Sequence, residues 1–288
     1  MTVLANREQR WRERRSRFVV PDRVFVPAQC EVALIADDTS AKAFVERHHY
    51  EASFPVSVRR VGMYRRGELV GVAVFAVPVR PCTLDCLPGG RDGGVSLSRL
   101  VLLDDVEFNA ESWFIARAFE LLRQDGFTGV VSFSDPLPRR TTDGTLLLRG
   151  HYGCVYQGSG GTYLGRSKPD TMRILPDGRT FDNRAIAKIR QLDSRWRYAA
   201  AKLERFGATP LVDLDRREEW LEYWMTRLCR QARHPGKHKY LWALDPKLRR
   251  HLPTSKPYPK QIDREVTWLP VRPRRTRRAG RTTLSANR

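Results

Sequence analysis

Between residues 23 and 166 the apolar residues switch period repeatedly, from every second position to every third or fourth and back. That alternation limits the chain to sheet and helix folded together. Residues 30–36 are strand-like. Thr39 or Ser40 then starts a helix through Ala41, Phe44 and Val45 that ends at His48, His49 and Tyr50. Two runs rich in β-branched residues, 58–64 and 69–78, flank Arg65-Arg66-Gly67-Glu68 as a hairpin. Residues 95–103 read as another strand, and Asn109 as the N-cap of a helix carrying Trp113, Phe114, Ala118, Leu121 and Leu122 and stopped by Gly126. A buried strand at 129–134 runs into Asp135-Pro136, followed by a short helix at 145–149 and closing strands at 155–157 and 162–165. The order predicts an α+β fold, a mixed central sheet flanked by helices.

A second region begins near Pro169. Asp177-Gly178 reads as a hairpin turn, and residues 183–206 as one helix with Ile186, Ile189, Leu192, Trp196, Ala199, Leu203 and Phe206 on its apolar stripe. Beside that stripe lie Arg184, Lys188, Gln191, Arg195, Tyr198 and Lys202, a basic face suited to phosphates or simply to solvent. Residues 218–231 form another helix, and prolines and arginines beyond Pro253 indicate a loose tail. The expected organisation is a basic arm (1–22), a sheet-and-helix domain (23–168), an appended basic helical C-terminal region packed on or beside the sheet (169–252) and a basic tail (253–288).

The charge sum is +20, from 52 Lys+Arg against 32 Asp+Glu. A field of that size draws polyanions. Arg272, Arg274, Arg275, Arg277, Arg278 and Arg281 cluster in the tail, yet without them the remainder is still basic. The arm mixes acids with its arginines, which is poor material for a membrane-surface helix, and nucleic acid is the favoured partner. No apolar run is long enough for a membrane span and the arm lacks the features of a secretory signal, so an intracellular protein, in a bacterial cytoplasm, is expected. Five cysteines fit neither a disulfide framework nor a zinc ribbon; Cys82 and Cys86 have no histidine pair to complete a site.

The residues that could carry chemistry fall at element ends. His49 and Tyr50 close the first helix, His151 and Tyr152 follow the short helix, and Asp135 sits at the C-terminal end of a strand, where ligands of open sheets gather. Asp135-Pro136 lacks the aromatic continuation of an amino-methyltransferase motif, and the glycines of 89–94 precede a strand rather than opening a helix, which makes them a connector.

Four patches in order resemble the Mom family of phage DNA-modification proteins, within the acyltransferase fold of the N-acetyltransferase (GNAT) superfamily. They are His49-Tyr50; Ser132-Phe133-Ser134-Asp135-Pro136; His151-Tyr152-Gly153 with Tyr156-Gln157 and Tyr163-Leu164-Gly165-Arg166; and His234-Pro235-Gly236-Lys237-His238-Lys239-Tyr240. The resemblance implies carbamoylmethylation of the exocyclic amino group of adenine in double-stranded DNA, which protects phage DNA from restriction. Such an enzyme must extrude the base, so Tyr50, Tyr152, Tyr163 and Trp113 are candidates for stacking. Arg184, Lys188, Arg195, Lys202, Lys237 and Lys239 are candidates for DNA contact. His49, Tyr50, Asp135 and Tyr152 are the expected catalytic residues, and Arg99 and Ser132 orient the donor. The family's association with iron and with a coenzyme A-like donor makes His49, Asp135, Tyr152 and His151 the expected metal set. Residues 104–110 are acidic and lack the glycines of a pyrophosphate loop, which leaves the donor open. Two other readings stand beside this one: a general GNAT acyltransferase acting on a small amine or protein, and a non-catalytic basic DNA-binding protein.

Overall fold

The computed structural model describes residues 8–12, 15–19, 25–78, 80–107, 109–260 and 266–269. The arginine-rich tail expected to touch DNA lies outside them, as does most of the basic arm, of which two antiparallel strands are described, β1 (Glu8–Arg12) and β2 (Arg15–Val19).

The centre is a mixed seven-stranded sheet. Its first four strands are antiparallel neighbours: β3 (Cys30–Leu34), β4 (Ser57–Arg65), β5 (Glu68–Ala76) and β6 (Gly94–Leu102). The hairpin between β4 and β5 turns at Arg66-Gly67, both with positive φ. β7 (Gly129–Ser134) then lies parallel to β6. Two helices cross between these strands. α1 (Asp38–His48) is capped by Asp37, whose carboxylate accepts from Thr39 N–H at 2.6 Å, so the cap falls before the Thr39 or Ser40 expected. α2 (Ala110–Gln124) buries Phe114, Ile115, Ala118 and Leu122 on the sheet. Asn109 precedes it at φ 68° without a side-chain cap bond, and Gly126, at φ 87°, follows it.

Three local readings are corrected. Residues 146–148 form not a helix but β9 (Leu146–Leu148), paired with β8 (Arg139–Arg140). Residues 155–157 belong to the short helix α3 (Cys154–Gly158) rather than to a strand. The helix expected over 183–206 is two, α4 (Asn183–Gln191) and α5 (Trp196–Glu204), broken where Leu192 takes φ 51°. Asp193 and Ser194 favour turn conformations, and the apolar period continues across the break, which hid it.

After β10 (Thr162–Arg166) the chain leaves the sheet through β11 (Asp170–Ile174), α4, α5, α6 (Arg217–Leu228) and β12 (Arg230–His234). β13 (His238–Ala243) then inserts between β7 and β10, completing the order β10-β13-β7-β6-β5-β4-β3. The helical region is therefore looped out between two neighbouring strands, and the sheet continues well past the boundary expected at 168. The run Tyr240-Leu241-Trp242-Ala243 is the buried-strand signal. β11, β12 and β14 (Thr267–Leu269) form a second small sheet. The helices have their own core, in which Phe181, Ile189, Leu203, Leu221 and Met225 meet. No described helix is long and apolar enough to cross a membrane.

Candidate active site

β6 and β7 pair in parallel only from Gly94/Gly129 to Leu97/Ser132. Beyond that rung β6 stays with β5 to Leu102 and β7 with β13 to Ser134, so the strands part at their C-terminal ends, the edge where ligands of open sheets gather. Ser132 closes the last rung, its hydroxyl donating to Leu97 O at 2.9 Å. Arg99 lies just past the parting on one side and Asp135 on the other.

Asp135, 2% exposed, centres a buried ionic group. Its Oδ1 accepts from Leu137 N–H and from His234 Nε2, both at 3.0 Å, and its Oδ2 from Arg139 Nη2. Arg139, 1% exposed, turns its Nη1 to Glu51 and lies 4.9 Å over the Tyr50 ring. Thr180 donates to the second Glu51 oxygen at 3.2 Å. Gly236 N–H donates to His234 Nδ1 at 3.0 Å, so His234 is a neutral imidazole with its proton on Nε2, aimed at Asp135. His49 stacks on Tyr50 at 4.2 Å and its Nδ1 accepts from Glu51 N–H at 3.1 Å, which puts its own proton on Nε2. Arg99 holds the same turn through Ser53 O and Ser53 Oγ at 3.1 and 3.0 Å.

Electrostatics follow from this packing. Burial alone would raise the Asp135 carboxyl, but Arg139 and the His234 hydrogen bond hold it well below the usual carboxylate range. Glu51 is lowered in the same contest, burial against Arg139 and Arg99. Burial, with Arg99 and Arg139 adding repulsion, pushes His49 well below 6.5. Burial takes His151 down to about 4 although Asp135 pulls it up. Both rings are neutral near pH 7, as is Tyr50, whose phenol burial drives upward.

A pH dependence results. The lowered carboxylates stabilise the fold above their unfolded values of about 4, and this is lost as pH falls through the lower folded values. The histidines act in the same direction: between 6.5 and about 4 the unfolded chain takes up the His151 proton before the folded one does. Urea midpoints are therefore expected to fall steadily from about pH 7 to about pH 4; a flat profile would refute the assignment.

Glycines set two turns that aim these groups. Gly150, at φ 77°, brings His151 round so that its N–H donates to Asp135 O at 2.8 Å; a Cβ there would sit 2.1 Å from Pro136 O. Gly236, at φ 99°, turns the chain from His234 into β13, and a Cβ there would meet Ser167 O at 2.1 Å. Gly150→Ala is expected to lower stability by about 2 kcal/mol or more, since strain and a backbone clash add, measured by chemical denaturation.

The structure brings His49, Tyr50, Asp135 and His151 to one neighbourhood, with Arg99 and Ser132 at its floor. Several sequence expectations change. Tyr152 turns its phenol to Cys154, whose hydrogen bond raises it to about 12, and only its backbone carbonyl serves the interior, accepting from Tyr240 Oη. Tyr50 and Tyr163 are at most 9% exposed and so offer no face to a base; Trp113 packs on Phe25, 5.3 Å between ring centroids. Asp135 is buried with both oxygens engaged by the protein's own donors, which suits it to position its neighbours. The expected iron set does not fit: both Asp135 oxygens are engaged and the Arg139 guanidinium sits against the carboxylate, where it would repel a cation. Among the described residues no group of three or more His, Cys, Asp or Glu is placed to hold a metal. The acidic stretch is also less repulsive than its sequence suggested, because Asp105 and Glu107 both pair with Arg65, at 2.6 and 3.1 Å.

The residues expected on DNA scatter. Arg184, Arg195 and Lys237 are exposed, but the break at Leu192 separates Arg184 and Lys188 from Arg195 and Lys202. Lys202 lies 5.6 Å over Tyr198, and Lys239 donates to Thr83 O at 3.0 Å on the opposite face of the sheet from Tyr240. Sequence reasoning missed Arg139, Glu51 and the part played by His234. Glu51 follows the His49-Tyr50 pair and Arg139 lies four residues after Asp135, a weak signal in so arginine-rich a chain.

The chain belongs to the Mom protein family, whose model matches residues 29–260. No curated protein matches it. Among solved structures it is similar to an N-acetyltransferase from Staphylococcus aureus Mu50, with 7% identity and a TM-score of 0.34 over 75% of this chain and 99% of that one. It is also similar to a tandem GNAT protein from the clavulanic acid biosynthesis pathway, with 10% identity and a TM-score of 0.33 over 74% of this chain and 70% of that one.

Proposed function

We propose that the protein is a transferase that places a carbamoylmethyl-type group on the exocyclic amino nitrogen of adenine in double-stranded DNA and so shields phage DNA from restriction. The observation that carries this is the family match across residues 29–260. The +20 charge supports a polyanionic substrate, and the parting of β6 and β7, with His49, Asp135 and His151 beside it, supports a reaction at that edge of the sheet. The donor is a coenzyme A-like or other small-molecule carrier of the two-carbon unit.

In the reaction the adenine nitrogen forms a bond to the donor carbon, the donor's leaving group departs with its bonding pair, and one amino proton is released. His151 receives that proton: it is neutral, half-buried and next to the Asp135 carboxylate, which stabilises the imidazolium formed. His49, with its proton fixed on Nε2, donates a hydrogen bond instead. Asp135, Arg139, Glu51 and His234 hold the frame, and Arg99 orients the donor through the turn at Ser53.

Digesting DNA from cells that express the chain and weighing the nucleosides tests the reading. Deoxyadenosine carrying the added mass is expected. Unmodified DNA that the protein nevertheless binds would favour the passive DNA-binding alternative, and modification of small amines alone the general acyltransferase.

A further inference from the structure

We propose that α4, the turn at residues 192–195 and α5 form a helix–turn–helix unit that reads duplex DNA, with α5 lying in the major groove. The inference rests on the reading above that duplex DNA is the substrate, and assigns the part of the chain that recognises the sequence around the target adenine.

The break at Leu192 carries the architecture. Two nine-residue helices, joined by four residues, pack on each other, and α6 packs beneath both through Leu221 and Met225. This is the three-helix arrangement in which a second helix is offered to a groove. α5 buries Ala199, Ala200 and Leu203 inward and leaves Arg197, Tyr198 and Ala201 exposed, as is Arg205, the helical C-cap that follows. At about 100° per residue these four fall within a third of the helix circumference. Tyr198 is 63% exposed, with Lys202 5.6 Å over its ring, and stands beside the arginines on the outward face. Ala201, between the two arginines, leaves room for a base edge or a thymine methyl group to approach the backbone. At about 1.5 Å per residue the helix is roughly 13 Å long, matched to a groove about 12 Å wide.

Charge identifies the occupant. Residues 183–205 hold seven Lys or Arg against two acids, whereas residues 206–229 hold three against five. The two helices of the unit are thus net positive and the segment that supports them net negative. An acidic protein would satisfy the charge, but not a narrow convex ridge of two arginines and a tyrosine around an alanine. Position agrees: β12 leads directly from α6 to His234, so the unit is fixed to the frame of the reaction site.

The test compares the full chain with Arg197→Ala/Arg205→Ala, with Tyr198→Ala, and with Arg216→Ala. Arg216 lies on the supporting side, paired with Glu219 and 71% exposed, and controls for loss of charge alone. Duplex affinity is read by fluorescence anisotropy across a salt series, and the bases around modified adenines by sequencing cellular DNA. The double variant is expected to lose affinity by roughly tenfold per arginine, to show a shallower salt dependence and to modify adenines in a broadened set of contexts. Arg216→Ala should stay within about twofold of the parent. If the double variant binds duplex as the parent does and keeps its contexts, α5 does not read DNA, whatever the reaction. If the parent chain itself neither binds duplex nor modifies adenine, the proposed function fails, and that shows in the parent alone.

Discussion

Arg139→Met is expected to cost about 3–5 kcal/mol of stability, enough to leave much of the protein unfolded in the cell. The guanidinium is 1% exposed and bridges two carboxylates, so its removal strips Asp135 and Glu51 of the one cation hydrogen-bonded to both. His234 is a neutral donor and cannot replace it. Arg139→Lys should recover only part of the loss, because one ammonium cannot present two forks to carboxylates on either side and lie over Tyr50 at the same time. Neutralising the partners together, as Arg139→Met/Glu51→Gln/Asp135→Asn, should recover more than the lysine does. Urea titrations of the four proteins decide it. A loss under about 1 kcal/mol in the single variant would mean that the carboxylates shed their charge at little cost, and the account of the frame would be wrong.

His151→Gln is expected to reduce adenine modification by about 100-fold or more while duplex affinity stays unchanged. Glutamine keeps the polarity and much of the volume but cannot take a proton. His49→Gln keeps a donor near Nε2 and should retain far more activity, since that ring is assigned as a donor. Quantifying modified deoxyadenosine against binding separates the two roles. Should both variants lose activity equally, or the His151 variant keep it, the division between base and donor collapses.

Much of the fold was legible because each element from β3 to β7 has one dominant period. That His49, Tyr50 and Asp135 would be neighbours was legible because helix and strand ends meet at one edge of such a sheet. What failed has a common cause in contacts distant along the chain. Arg139 gains its meaning from Glu51, 88 positions away, and His234 from Asp135, 99 positions away. No local pattern distinguishes a buried bridging arginine from the many exposed ones. Tyr152 failed differently: its neighbours do approach the site, but the left-handed turn at Gly153 sends the phenol toward Cys154. Residues 146–148 and 155–157 are too short for periodicity to separate helix from strand.

The placement of β13 has a consequence for how the molecule is made. On a ribosome the chain from β3 to β10 emerges with the seat beside β7 still vacant, and the strand that fills it comes only after the whole looped-out helical segment has been synthesised. Closure of the sheet is thus a late, long-range event, of the kind that sets the slowest step of assembly and leaves a bare strand edge in the meantime. A product truncated after α6 would not be a smaller working enzyme but a half-zipped sheet prone to stick to its siblings. Catalysis and the excursion that interrupts it are consequently inherited as one piece.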